Sequence, residues 1–329
     1  MSLDSDNIVD RRRMRRKLTF WRVVAFLIAI AAVIAVAAAT REPGGTLSQP
    51  ITPQISRVTI SGIIRGDHDR TEALDNLARS RATRAVIVHI DSPGGTTTGS
   101  EELYESLRRV AAQKPMVVVV DGLAASGGYI AAMAADHIVT QSTSLVGSIG
   151  VLFQYPNLTD LLKKVGVTVE EIKSSPLKAA PNGLEPTTPE ARAAIEALVR
   201  DSFDWFKDMV QDRRKLEGEA LDRVADGRVF TGRQAVELKL ADEIGREQEA
   251  IDWLAKTNKD FDPKTPVRDW RLRPRFGELS FLHLGIATML DLAGLGAVVS
   301  QWESSGALQA AEKLNLDGLL ALWHPAAGD

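Results

Sequence analysis

The sequence predicts an α/β fold with a largely parallel, layered sheet, preceded by one apolar segment long enough to span a membrane. Three observations carry this. Residues 85–90 and 116–120 are apolar almost throughout, the composition of strands covered on both faces. Each run leads into a glycine-rich stretch and then a helical pattern, over 99–113 after the first and 126–135 after the second. Residues 20–40 are almost wholly apolar, and about 20 such residues cross a hydrocarbon core.

Taken in order, the basic cluster Arg11, Arg12, Arg13, Arg15, Arg16 and Lys17 makes residues 1–19 a cytoplasmic tail by the positive-inside rule. Residues 20–40 read as a signal anchor, with Trp21 and Arg22 at the interface. The small residues Ala37, Ala38 and Ala39 leave open a cleaved signal peptide. Residues 41–56 form a linker rich in Gly, Pro, Ser and Thr, so the following domain, 57–265, is expected on the extracytoplasmic side of the membrane. Within that domain strands are expected at 57–60, 85–90, 116–120, 137–141 and 167–172, and helices at 69–80, 99–113, 126–135, 157–165 and 188–214. The last helix opens on Thr188-Pro189-Glu190, an N-cap followed by proline in the first turn. Residues 266–329 read as a helical extension. Its apolar run, 281–299, carries Asp291 and is rejected as a second span, because a mid-span Asp costs about 2.5–3.5 kcal/mol; an oligomer contact or a helix lying on the membrane suits it better.

Composition narrows the chemistry. The chain has no cysteine, which excludes disulfides, thiolate catalysis and thiolate-bound metals. Its five histidines lack ligand spacing, so neither a metal nor another cofactor is expected. With 40 Lys+Arg against 43 Asp+Glu, nothing in the overall charge calls for a nucleic-acid partner.

The glycine-rich stretches, 91–95 and 121–128, are expected to be turns at the carboxyl ends of adjacent parallel strands, where α/β proteins build their sites. Ser126 would stand at a helix start, where backbone N–H groups favour an oxyanion, and Gly94 or Gly95 could bring a second N–H from across the site. Either stretch alone is also what an ordinary strand–helix turn needs. A serine nucleophile requires a base, and no histidine lies between His137 and His283. Lys173 and Lys178 are the alternatives, in an apolar, proline-bearing context. Burial lowers a lysine pKa from its ordinary value of about 10.4, and a drop of about 3 units corresponds to roughly 4 kcal/mol of desolvation.

From about Val58 to Gly245 the chain resembles the signal peptide peptidase A family, in its short, single-repeat bacterial form. The resemblance rests on the 91–95 stretch, Gly-Leu-Ala-Ala-Ser-Gly-Gly-Tyr-Ile-Ala-Ala over 122–132, Gly-Ser-Ile-Gly-Val over 147–151, Lys-Ala-Ala-Pro over 178–181, Gly-Arg-Val-Phe-Thr-Gly over 227–232, and Ala-Asp-Glu-Ile-Gly over 241–245. It implies a crotonase/Clp-protease-like fold and a serine endopeptidase with Ser126 as nucleophile and Lys178 as general base. It further implies that Ser148 orients that lysine and that Gly94, Gly95 and Gly127 flank the oxyanion. Leu177 stands where the family often has tyrosine, which keeps Lys173 as a rival base. The substrates implied are remnant signal peptides and other hydrophobic peptides at a bacterial inner membrane. The assembly implied is a homo-oligomer, an octamer in the short members, with composite sites. Two other classes stay open from the residues alone: an acyl-CoA enzyme of crotonase type, and a catalytically silent scaffold for membrane proteins.

Overall fold

The computed structural model describes residues 20–22, 52–258, 262 and 264–272, together with the backbone of 319–322. The chain divides into two units, Met1–Gln49 and Pro50–Asp329. Of the first, residues 20–22 are helical, with the Phe20 and Trp21 rings edge to face at 6.1 Å. The rest of the expected membrane segment and most of the linker lie outside the described residues, as does the run at 281–299. Among the described residues no helix is long and apolar enough to cross a membrane.

The second unit begins β1 (Gln54–Ile64), α1 (His68–Arg79), β2 (Thr83–Thr96), α2 (Thr97–Ala111), β3 (Met116–Ala125), α3 (Gly127–Ala132) and β4 (His137–Thr140). It continues β5 (Leu145–Gly147), β6 (Leu152–Phe153), α4 (Thr159–Lys164), α5 (Pro189–Arg214), α6 (Glu219–Val224), β7 (Val229–Thr231) and α7 (Gly232–Glu237). The remaining elements are β8 (Glu243–Ile244), α8 (Glu247–Thr257), β9 (Val267–Asp269) and β10 (Leu319–Leu322). Strands β9, β1, β2, β3, β4 and β8 lie side by side, every neighbouring pair parallel.

Strand alternation explains why residues 85–90 and 116–120 are apolar almost throughout. Val86, Val88 and Ile90 of β2, with Val118 and Val120 of β3, join the main core beneath α1, α2 and α3. The intervening Ala85, Ile87, Val117 and Val119 face a second cluster closed by Ala250 and Leu254 of α8. Both faces of the sheet are buried, and each fully buried Val or Ile stabilises the fold by about 1.5–3 kcal/mol.

Three expectations need correction. The glycine-rich stretches are not turns: β2 runs on through Gly94 and Gly95 to Thr96, and β3 to Ala125. The pairing shifts register between Ser61 and Ile63 and between Ile90 and Ser92, and such irregularities bend a strand and re-aim its end. Past the bend the strand ends take new partners. The end of β3 pairs with β5, which meets β7 antiparallel; the end of β2 pairs antiparallel with β10. The sheet is therefore mixed. Residues 167–172 form no strand; Val167, Val169 and Ile172 are exposed, and a β-prone run with no sheet edge beside it has nothing to complete a ladder. Nor is the chain after 266 wholly helical: β9 extends the sheet beside β1, the Trp270 amide donates to Arg57 O at 2.7 Å, and its indole N–H donates to Ala73 O at 3.1 Å.

His89 and His137 are taken up by carboxylates. The His89 Nδ1 lies 3.0 Å from both Asp121 oxygens and its Nε2 2.8 Å from Glu247. His137 Nε2 is 3.1 Å from Glu243, and the ring stacks on Trp253 at 4.8 Å. Glu247 is also gripped by the Arg57 fork at 2.5 and 2.6 Å, tying α8 to β1. Those bonds, with a smaller contribution from His89, hold the Glu247 carboxyl below the usual carboxylate range. A depressed carboxylate stabilises the fold above its unfolded value, about 4.3, and that contribution is lost as pH falls through the folded value. Glu247→Gln is therefore expected to lower Tm by a few degrees at pH 7, the deficit shrinking as pH falls below about 4.3. A deficit of the same size at pH 3 in calorimetry would assign the loss to packing instead.

Candidate active site

Ser126 sits where β3 gives way to α3, at φ 54° and ψ −116°, a region that costs a residue with a side chain about 1–3 kcal/mol. The surroundings enforce it. Its N–H donates to Gly147 O at 2.7 Å, and its carbonyl accepts from the Tyr129 and Ile130 amides at 2.9 and 3.0 Å. Tyr129 is fully buried and donates its hydroxyl to Leu240 O at 2.9 Å, which pins the first turn of α3. A Cβ on Gly128 would meet Ser92 O at 2.6 Å, so only glycine lets α3 lie this close to β2. The leading N–H groups of α3, beginning at Gly127, have no acceptor within the helix.

The end of β2 forms one wall. A Cβ on Gly95 would fall 1.7 Å from Ile64 O, so no side chain fits. Gly94 has φ +99°, and its N–H donates to Ser92 Oγ at 3.1 Å, which itself donates to Gly62 O at 2.7 Å. The Gly94 N–H is thus already engaged. The other wall comes from β5. Its parallel register sets Gly147 beside Ala125, so Ser148 follows next to Ser126. Ser148 is 8% exposed and has φ 52°, with its N–H donating to Arg228 O at 2.8 Å. The Ser126 hydroxyl reaches Gly150 O only at 3.5 Å, at the limit of a hydrogen bond.

The two lysines differ sharply. The Lys173 ammonium lies 2.5 Å from both Glu171 and Glu185, and these hydrogen bonds, Glu171 foremost, raise its pKa. A general base must be neutral to accept a proton, so Lys173 is disfavoured. Lys178 is exposed, and its ammonium makes no hydrogen bond or ion pair among the described residues. None joins it to Ser126 within the chain. The residue after it, Ala179, has φ 59°. Among the described residues the non-glycine positions with positive φ are Ser126, Ser148, Ala179, Lys215 and Lys239. Lys215 ends α5 and Lys239 follows the end of α7, where left-handed residues are ordinary. The other three mark the candidate nucleophile, its neighbour and the residue beside Lys178.

Sequence reasoning missed a groove of about 880 Å³ that opens at Gly150, lined by Ile149, Val151 and Phe153 and by Val199 and Phe203 of α5. The four-residue spacing of Ile195, Val199 and Phe203 was its only signal.

A serine held in strained backbone between strand and helix, facing a glycine edge and a helix N-terminus, defines a serine peptidase built on an α/β frame. Residues 108–261 match the model of peptidase family S49, and residues 67–145 that of Clp protease. A candidate protease of Synechocystis is 37% identical over 212 residues, which are 64% of this chain and 76% of that one. The chloroplastic serine protease SPPA of Arabidopsis thaliana is 33% identical over 181 residues, 55% of this chain and 27% of that one. A solved ClpP1 mutant from Listeria monocytogenes aligns at TM-score 0.38 with 13% identity, over 58% of this chain and 91% of that one. The chain belongs to peptidase family S49, the family of signal peptide peptidase A.

Proposed function

We propose that this protein is a membrane-anchored endopeptidase that cleaves remnant signal peptides and other hydrophobic peptides by a Ser126–Lys178 acyl-enzyme mechanism. The observation that carries it is the strained Ser126 between the Gly95 edge and the N-terminus of α3. Neutral Lys178 removes the Ser126 proton, and Oγ attacks the peptide carbonyl. The developing oxyanion is met by the Gly127 and Gly95 N–H groups, rather than by the Gly94 N–H that Ser92 already holds. Lys178, oriented by the Ser148 hydroxyl, then protonates the leaving amine, and water releases the acyl group. The groove beside Gly150 offers Ile149, Val151, Phe153, Val199 and Phe203 to apolar side chains of an extended peptide, along a lining that also carries Arg192, Glu196, Arg200, Asp204 and Asp226.

Lys178 is supplied, in this reading, by a neighbouring copy. Its exposure supports this, as does the row of exposed apolar residues on the same stretch: Leu161, Val165, Val167, Val169 and Ile172. A head-to-tail contact of this kind closes into a ring, with eight copies in the short-form assembly the family resemblance implies. The test is labelling with a serine-directed fluorophosphonate followed by mass spectrometry. The adduct is expected on Ser126, and an adduct elsewhere, or none, defeats the reading.

The membrane arrangement follows from the basic cluster ahead of residue 20. Protease added to spheroplasts should digest the domain after residue 52 and spare the N-terminus. A domain that survives in intact spheroplasts would reverse the topology.

A further inference from the structure

One residue reaches both walls of the site around Ser126. Ser92 is completely buried, at the point where β2 breaks register with both of its neighbours. Towards β1 the pairing passes from Ser61 opposite Asp91 to Ile63 opposite Gly94, so Ser92 and Pro93 together face Gly62 alone, the count of a β-bulge. The ladder is interrupted there, and proline has no N–H with which to mend it. The Ser92 hydroxyl bridges the gap instead. It donates its single proton to Gly62 O at 2.7 Å and accepts from the Gly94 N–H at 3.1 Å. Pairing then resumes in the shifted register, with Gly95 opposite Ile64 at a spacing that admits no Cβ.

The backbone of the same residue sets the opposite wall. Ser92 pairs with Ala124 of β3, two residues ahead of Ser126. A Cβ on Gly128 would lie 2.6 Å from Ser92 O and 3.3 Å from Ser92 Cβ, so the first turn of α3 rests directly on this residue. The Gly95 N–H thus follows the hydroxyl through Gly94, and the Gly127 N–H follows the carbonyl through Gly128.

We propose that Ser92 is a positioning residue that sets the spacing of the two N–H groups receiving the oxyanion, its hydroxyl also withholding the Gly94 N–H from that role. This rests on the reading above, in which Ser126 is the nucleophile and Gly95 and Gly127 supply the donors. Such donors act only when aimed at the place where charge develops, and a misplacement of about 1 Å costs about 10²-fold in rate.

Ser92→Ala removes the hydroxyl and keeps the Cβ that packs on α3. On an apolar peptide substrate kcat is expected to fall about 10²-fold, with KM within about twofold of the parent. Fluorophosphonate labelling of Ser126, in which the phosphoryl oxygen takes the oxyanion's place, should slow by the same factor. In a Ser126→Ala background the peptide should bind equally well with serine or alanine at position 92. Ser92→Cys, a side chain of similar size with a weaker donor, is expected to lose about tenfold and serves should the alanine variant misfold. Val139→Ala, in the second core cluster, should lower Tm while leaving kcat and labelling unchanged. Amide exchange over residues 94–96 and 127–130 should quicken together in both Ser92 variants. Values of kcat and labelling rate within about threefold of the parent, or above it, would overturn the positioning role. So would a loss that Val139→Ala reproduces, or exchange that quickens on one wall only. If Ser126 takes no label in the parent itself, the nucleophile is at fault, and the exchange still decides whether Ser92 ties the two walls.

Discussion

Ser126→Ala is expected to reduce hydrolysis of casein or a synthetic signal peptide by about 10⁴-fold or more, the scale on which removing a catalytic nucleophile acts. Alanine keeps the Cβ and removes only the hydroxyl, whose one contact is the 3.5 Å approach to Gly150 O. Tm should therefore stay within about 2 °C. A companion variant separates chemistry from strain. Ser126→Gly is equally inactive, yet relieves the positive φ of 54° and should stabilise the fold by about 1 kcal/mol. Activity of Ser126→Ala within tenfold of the parent would show that another group forms the acyl-enzyme. Gains in stability from alanine and glycine alike would show that the backbone is not held under strain.

Lys178→Met should be nearly as damaging, because methionine retains the volume of the stem while losing the proton acceptor. Lys173→Met is expected to lower activity only modestly, by loosening the loop that Glu171 and Glu185 brace through Lys173. The two lysines also predict activity rising over different pH ranges. Activity limited by the base should rise with pH as the base loses its proton. Lys173, held charged by two carboxylates, would have to lose a proton above its ordinary range before it could act. Measured on one substrate, a dead Lys173→Met and a live Lys178→Met would reassign the base and shift the motif alignment by five residues. If Lys178 acts in a neighbouring copy, mixing inactive Ser126→Ala with inactive Lys178→Met should restore part of the turnover, since mixed rings contain sites with both groups intact.

The sequence by itself determined the layered α/β frame and singled out Ser126 as the candidate nucleophile. Residues 85–90, His89 excepted, and 116–120 are apolar on both alternating sides, the pattern of strands covered on both faces, and the strands, the covering helices and the two core clusters follow it. Ser126 stood out because glycine is required at 128 if α3 is to lie against Ser92, and close approach leaves that mark in composition. Only the tertiary structure decided where the glycine-rich stretches go. A glycine before a helix reads locally as a turn, whereas the register shift at Ser92 carries β2 onward to new partners, and sheet pairing joins residues distant in sequence. The difference between the two candidate lysines had the same origin. Lys173 and Lys178 lie in one apolar, proline-bearing stretch, and what separates them is that Glu171 and Glu185 converge on the first and hold its charge, while no carboxylate among the described residues pairs with the second. The strand expected at 167–172 failed for the converse reason: a β-prone run becomes a strand only where an edge is free to pair with it. Residues 319–322, four apolar residues with nothing local to distinguish them, became a strand because β2 and β6 left such an edge between them.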